Sequence, residues 1–190
     1  MFDEAKIAGF AEDCAIIKES ILSVPDFPKP GILFRDITSL CANPKAFSLS
    51  VKLLESVYKD RHIDKILSAE SRGFIFGAPL AAQLGAGLVL VRKPGKLPRA
   101  TIEETYALEY GNNTLQINVD AINPGDNVLI LDDLLATGGT VEAMIKLTNR
   151  LKGEVVSTAF VIELMDLPGR KLIEDKYGLE CVSLVKFPGH

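Results

Sequence analysis

The sequence predicts an α/β fold, with a mainly parallel central sheet flanked by helices, a small N-terminal hood and a β-hairpin lid. Two observations carry the sheet. Short apolar runs without polar alternation (KILSA, GLVLV, NVLIL, AFVI) read as strands covered on both faces. Helical segments stand between them, and strand, helix, strand is the parallel crossover unit. The third observation is size and composition: 190 residues, 47% apolar and 24% charged, suit one ordinary globular domain spanning residues 1–190.

Taken in order, Ile7, Phe10, Cys14, Ile17 and Ile21 recur at spacings of three and four, the stripe of an amphipathic helix expected to end near Val24. PDFPKPG then holds three prolines and a glycine in seven residues, which removes backbone donors and fixes φ, so a stiff loop follows. Phe47, Val51, Leu54 and Tyr58 mark a second helix with Pro44 in its first turn. KILSA is a buried strand, GFIFGAPLAAQLG a helix closed by Gly85, and GLVLVRK the next strand. Residues 94–104 carry charges and two prolines without apolar periodicity, and read as a loop of lid-like length. Leu115, Ile117 and Val119 alternate, so 105–120 is expected to be a hairpin. After the turn Asn123-Pro124-Gly125-Asp126 come the strand NVLILDD, the helix EAMIKLTNRL and the strands VVSTAFVIEL and CVSLVK.

Charge and cysteine usage exclude several function classes. A net charge of −4 opposes general nucleic-acid binding, which needs a basic face. Cys14, Cys41 and Cys181 form no CxxC pair, and His62 and His190 complete no metal-ligand spacing, so the thiols are expected reduced and buried. No apolar run reaches the length of a membrane span and the N-terminus has no secretory pattern. Cytoplasmic location is the expectation, with neither membrane nor nucleic acid as partner.

Residues 128–140, VLILDDLLATGGT, carry the strongest chemical signal. Ligands of open α/β sheets bind beyond the carboxyl ends of strands. The loop Ala136, Thr137, Gly138, Gly139, Thr140 opens into a helix, whose unsatisfied N–H groups and positive dipole end attract phosphate. Glycines admit an anion close to the backbone, and the threonine hydroxyls donate. The lysine of a Walker loop is absent. Asp132 and Asp133, acceptor-only when ionised, suit a diol, so a ribose 5′-phosphate satisfies both halves. Arg92, Lys93, Lys96 and Arg99 place four cations within eight residues of an acidic chain, a local positive field.

This motif resembles the phosphoribosyl pyrophosphate signature of type I phosphoribosyltransferases. PDFPKPGILFRDIT, ESRGFIFGAPLA, VRKPGKLP and ALEYG, in that order, narrow the resemblance to the adenine phosphoribosyltransferase family over residues 25–165. The resemblance implies transfer of the phosphoribosyl group to adenine, giving AMP and pyrophosphate, by a homodimer using magnesium (Mg2+) held mainly by substrate phosphates and water. It implies that residues 136–140 hold the 5′-phosphate and Asp132 and Asp133 the ribose. Arg72, Arg92, Lys93 and Lys96 would hold pyrophosphate, Arg92 reaching across the dimer. Leu33, Phe34 and Arg35, from a hood of about residues 1–40, would form the adenine pocket with Leu134 on the other face. Glu109 would handle the proton, and Tyr110 would wall a lid of residues 94–108. The ESRG turn of the family sometimes contains a cis peptide, and Pro94 stands where the family often has a cation.

Three other functions share parts of this pattern. A 6-oxopurine could replace adenine, though PDFPKPG followed by ILFRD argues for adenine. A phosphoribosyl pyrophosphate sensor controlling transcription would need an appended basic module for which 190 residues leave no room. A plain nucleotide-binding module would not need the lid and cationic segment together.

Overall fold

The computed structural model describes residues 7, 9–107 and 111–189. Helix α1 (Ala11–Glu19) is followed by strands β1 (Leu22–Pro25) and β2 (Leu33–Asp36), then by helices α2 (Ile37–Ala42) and α3 (Pro44–Tyr58). Strand β3 (Lys65–Ala69), helix α4 (Arg72–Leu84) and strand β4 (Gly87–Val91) form a parallel crossover unit. Strands β5 (Thr101–Ala107) and β6 (Asn112–Asn118) form an antiparallel hairpin. Strand β7 (Asn127–Leu135), helix α5 (Gly139–Arg150) and strand β8 (Glu154–Leu164) follow. A short helix α6 (Gly169–Lys171) continues into a π turn over Leu172–Lys176 before strand β9 (Cys181–Phe187).

Five strands make one all-parallel sheet in the order β4-β3-β7-β8-β9, as the apolar runs predict. Side-chain alternation splits each strand between two cores. Leu129 and Leu131 of β7 pack into the cluster containing Leu54, Tyr58, Phe76 and Leu80 of α3 and α4. Val128 and Ile130 pack into the cluster containing Val141 and Met144 of α5 and Leu115 and Ile117 of β6. A period of 2 with both faces covered explains why these strands read as unbroken apolar runs. Buried Tyr58 finds a partner for its hydroxyl in Ser157 Oγ at 2.8 Å, and Ser157 Oγ donates onward to Glu180.

Helix ends follow their local chemistry. Asn43 caps α3, its Oδ1 accepting from the N–H groups of Lys45 and Ala46 at 3.1 Å each, with Pro44 at the first helical position. Gly85 closes α4 in the left-handed region, φ 66°. Ile17 and Ile21 of the expected first-helix stripe are buried. Among the described residues, no helix is long and apolar enough to cross a membrane.

Two expectations are corrected. The first helix ends at Glu19, not near Val24, because residues 22–25 pair with 33–36 across the proline loop. The helical stripe is local information, whereas that pairing depends on a segment about a dozen residues away. The hairpin begins at Thr101, so residues 101–104 belong to β5 and not to a loop. Glu103 and Glu104 hide the strand signal by filling its two faces with charge: Glu103 is exposed, while Glu104 lies 3.4 Å from Lys146 of α5. The segment carrying α6 and its π turn buries Ile173 in the core cluster that holds residues of β7 and α5.

Candidate active site

Parallel strands present their carboxyl ends on one side of the sheet, and three chain segments converge there: residues 70–73 after β3, 92–96 after β4 and 132–140 from β7 into α5. Register makes the room. β3 pairs with β7 only as far as Ser68↔Leu131, while β7 remains paired to β8 as far as Leu135↔Glu163. Asp132 and Asp133 therefore lie just past the last β3–β7 pair, where β7 has lost one neighbour. The acids stand within the strand, not at its end as the sequence suggested.

Both carboxylates are buried. Burial, then the adjacent Asp133 charge, push the Asp132 carboxyl well above its usual range. Burial also raises Asp133, opposed by Arg72. Asp132 Oδ1 accepts from the Asp133 N–H at 2.9 Å. Gly73 permits this closeness, since a Cβ there would stand 2.8 Å from Asp132 Oδ1. Arg72 Nε lies 3.0 Å from Asp133 Oδ2, a charge contact off the hydrogen-bond line, so that buried oxygen still has no hydrogen-bond donor. An unpaired buried acceptor is costly unless a ligand supplies the donor, and a sugar hydroxyl is such a donor.

The loop after β7 turns on Gly138, whose φ of 91° lies in the left-handed region. No side chain caps α5, which leaves its first N–H groups available to an anion. Ala136 and Thr140 are half-buried and Thr137 is exposed. Support comes from behind. Gly169 N donates to Ala136 O at 3.1 Å, and Gly138 rests against Leu172 and Gly169 with no room for a Cβ. Arg170, next to Gly169, donates to Glu163 at 2.7 and 2.5 Å, and Ser183 Oγ donates to the same carboxylate. Burial pushes Glu163 up, but those hydrogen bonds outweigh it and hold the carboxyl below its ordinary value.

From the hood, Leu33, Phe34 and Arg35 lie on β2, and Phe27 meets Phe34 edge-on at 5.0 Å between ring centres. The Arg72 guanidinium sits 5.6 Å over the Phe34 ring, so Phe34, Arg72 and Asp133 form one chain of contacts from hood to β7. Leu134, partly buried, follows on the same strand. The Arg35 side chain goes elsewhere: it donates to Ser23 Oγ and to Pro188 O and stacks on Phe187.

Among the cations, Arg92 donates to Glu70 Oε2 at 3.1 Å, and the Lys93 N–H donates to the same oxygen at 2.7 Å. Lys93 and Lys96 are exposed, and Arg99 pairs with Asp120 outside this group. Arg72 is thus placed with the acid pair and Phe34, and Arg92 and Lys93 with Glu70; the Glu70–Ser71 peptide that joins the groups is cis. Glu109 and Tyr110 lie outside the described residues. Among the described residues, no group of three or more His, Cys, Asp or Glu side chains is arranged to hold a metal.

Sequence reasoning missed Glu70, Tyr106, Asn113 and Gly169. Glu70 had a signal, its place in the ESRG turn. The others make contacts that no local pattern encodes, such as Tyr106 OH to Thr140 Oγ1 at 2.9 Å across 34 residues.

The phosphoribosyl transferase domain family matches residues 36–189. The adenine phosphoribosyltransferase of Salmonella heidelberg is 59% identical over 180 residues, covering 95% of this chain and 98% of its own. The crystal structure of the adenine phosphoribosyltransferase of Thermoanaerobacter pseudethanolicus superposes with a TM-score of 0.87 at 49% identity, over 92% of this chain and 99% of that one. That of Saccharomyces cerevisiae, solved with adenine and an iminoaltritol bisphosphate, gives 0.84 at 38% identity over 92% and 99%.

Proposed function

The chain belongs to the adenine phosphoribosyltransferase family, and from that premise we propose how its residues divide the work of the reaction. It is a purine-salvage enzyme that transfers the 5-phosphoribosyl group from phosphoribosyl pyrophosphate to adenine, giving AMP and pyrophosphate. The observation that carries the assignment of parts is the buried Asp132–Asp133 pair standing directly before an uncapped, glycine-turned helix N-terminus.

In this reading, residues 136–140 and the first turn of α5 hold the 5′-phosphate. Asp132 and Asp133 accept from the ribose hydroxyls, with Asp133 Oδ2 receiving the donor that it lacks. Phe34 lies against the base, Leu134 covers its other face, and the backbone groups of Leu33 and Arg35 read its edge. Arg72, Arg92, Lys93 and Lys96 neutralise pyrophosphate, with Arg72 exchanging Asp133 for phosphate oxygens. Magnesium would be held mainly by the substrate's phosphate oxygens and water, with no dedicated protein cage, and would supply charge neutralisation to the pyrophosphate.

The purine nitrogen lone pair bonds to the anomeric carbon while the carbon–oxygen bond to pyrophosphate breaks, its electron pair leaving with pyrophosphate. An oxocarbenium-like transition state follows from glycosyl chemistry. Positive charge on the purine is relieved by loss of a proton, a task assigned to Glu109. The lid, residues 94–108 with Tyr110, excludes the water that would hydrolyse the activated sugar. We place the enzyme in the cytoplasm as a homodimer. Ile75, Leu90 and Val119 are exposed large apolar residues that a second copy could cover.

The test is product analysis: adenine, phosphoribosyl pyrophosphate and magnesium should give AMP and pyrophosphate in equal amounts. Release of pyrophosphate without AMP would reduce the protein to a hydrolase of the sugar substrate.

A further inference from the structure

Tyr106 and Asn113 face each other on the hairpin, at register partners Tyr106↔Asn113, and together reach the phosphate loop. Asn113 Nδ2 donates to the Tyr106 hydroxyl at 2.9 Å, and that hydroxyl lies 2.9 Å from Thr140 Oγ1. The Tyr106 ring lies close enough to Gly139 that a Cβ there would meet Cδ2 at 2.8 Å. Two further contacts fasten the hairpin to α5: Arg150 donates to Glu103 O at 2.5 Å, and Lys146 pairs with Glu104 at 3.4 Å.

We propose that Tyr106 and Asn113 are positioning residues that fix the Thr140 hydroxyl so that its proton points at the sugar phosphate. The proposal rests on the reading that residues 136–140 bind the 5′-phosphate. Donor accounting permits one direction throughout, which the proposal adopts. An amide nitrogen only donates, so the Tyr106 oxygen is the acceptor in its bond with Asn113. The single phenol proton is then free for Thr140 Oγ1, and the single threonine proton is left for the ligand. The relay runs Asn113 to Tyr106 to Thr140 to phosphate, every donor aimed the same way, and successive bonds polarise one another. It also couples the hairpin to the substrate's phosphate end, so that the lid and the phosphate loop are organised together.

Three variants separate this relay from simple packing. Tyr106→Phe keeps the ring on Gly139 and removes the hydroxyl. It should raise KM for phosphoribosyl pyrophosphate and Kd for ribose 5-phosphate about tenfold, the scale of one hydrogen bond to a charged group, while KM for adenine stays at wild type. Asn113→Asp puts an acceptor where the donor stood, drawing the phenol proton away and turning the Thr140 proton from the ligand, with a loss at least as large. In the double variant the introduced carboxylate has no phenol to reverse, so the loss should not exceed that of Tyr106→Phe by more than about twofold. Wild-type KM and Kd in Tyr106→Phe, or losses that add in the double variant, would overturn the proposal. Thr140→Val distinguishes the premise: raised values there with wild-type values in Tyr106→Phe reject the relay alone, whereas wild-type values in Thr140→Val reject the phosphate-loop reading and the relay with it.

Discussion

Asp132 is held in the fold at a cost to stability. Its carboxyl is raised by burial and by the Asp133 charge, so the folded state favours the protonated form more than the unfolded chain does. The sign follows: stability from this group is present below the unfolded carboxyl range and is lost as pH rises toward the raised folded value. Asp132→Asn should therefore raise the unfolding temperature at pH 8 more than at pH 4, while use of phosphoribosyl pyrophosphate falls; equal shifts at both pH values would remove the electrostatic explanation. Glu163 behaves oppositely, its carboxyl being depressed by Arg170 and Ser183 despite burial. Its contribution is full above the ordinary carboxyl value near ~4.3 and is lost as pH falls through the lower folded value. Glu163→Gln should lower stability at pH 7 and flatten the acid limb of a pH–stability curve, and an unchanged acid limb would show Glu163 to be electrostatically neutral to folding. Glu109→Gln should slow single-turnover AMP formation at least about tenfold with little change in sugar-substrate binding, as expected when a proton-transfer group is lost.

At the scale of elements, what is encoded locally was legible. β7 announces itself by VLIL, and the glycine turn and the helix that follow it are visible in the same stretch of sequence. The cap on α3 is equally local. Replacing Asn43 by Ala removes an acceptor shared by two N–H groups and should cost about 1 kcal/mol in denaturant unfolding, whereas no measurable change would mean that Pro44 alone sets the helix start. Pairings between separated segments were not legible. β1 is four exposed residues whose strand state depends on β2, and β5 takes its place from β6 and α5. The same divide runs through the site: Asp132, Asp133 and residues 136–140 can be read from one stretch, but the Gly169 support and the Tyr106 contact exist only once the chain is folded.

Across the whole molecule, the parallel sheet fixes where chemistry can occur, because β3, β4 and β7 deliver the ESRG turn, the cationic segment and the acid pair to one side. The hood brings Phe34 to that side through Arg72, which touches both Phe34 and Asp133. In the reading proposed above, base choice belongs to the hood, and sugar binding to β7 and α5. If backbone groups of Leu33 and Arg35 match adenine's edge, a 6-oxo base leaves buried polar groups unpaired, a mismatch that supports discrimination on the order of 10⁴-fold. The most direct measurement is the ratio of kcat/KM for adenine to that for hypoxanthine, at fixed phosphoribosyl pyrophosphate and magnesium. A ratio on the order of 10⁴ is the result that the hood's placement predicts, and comparable values for the two bases would contradict it.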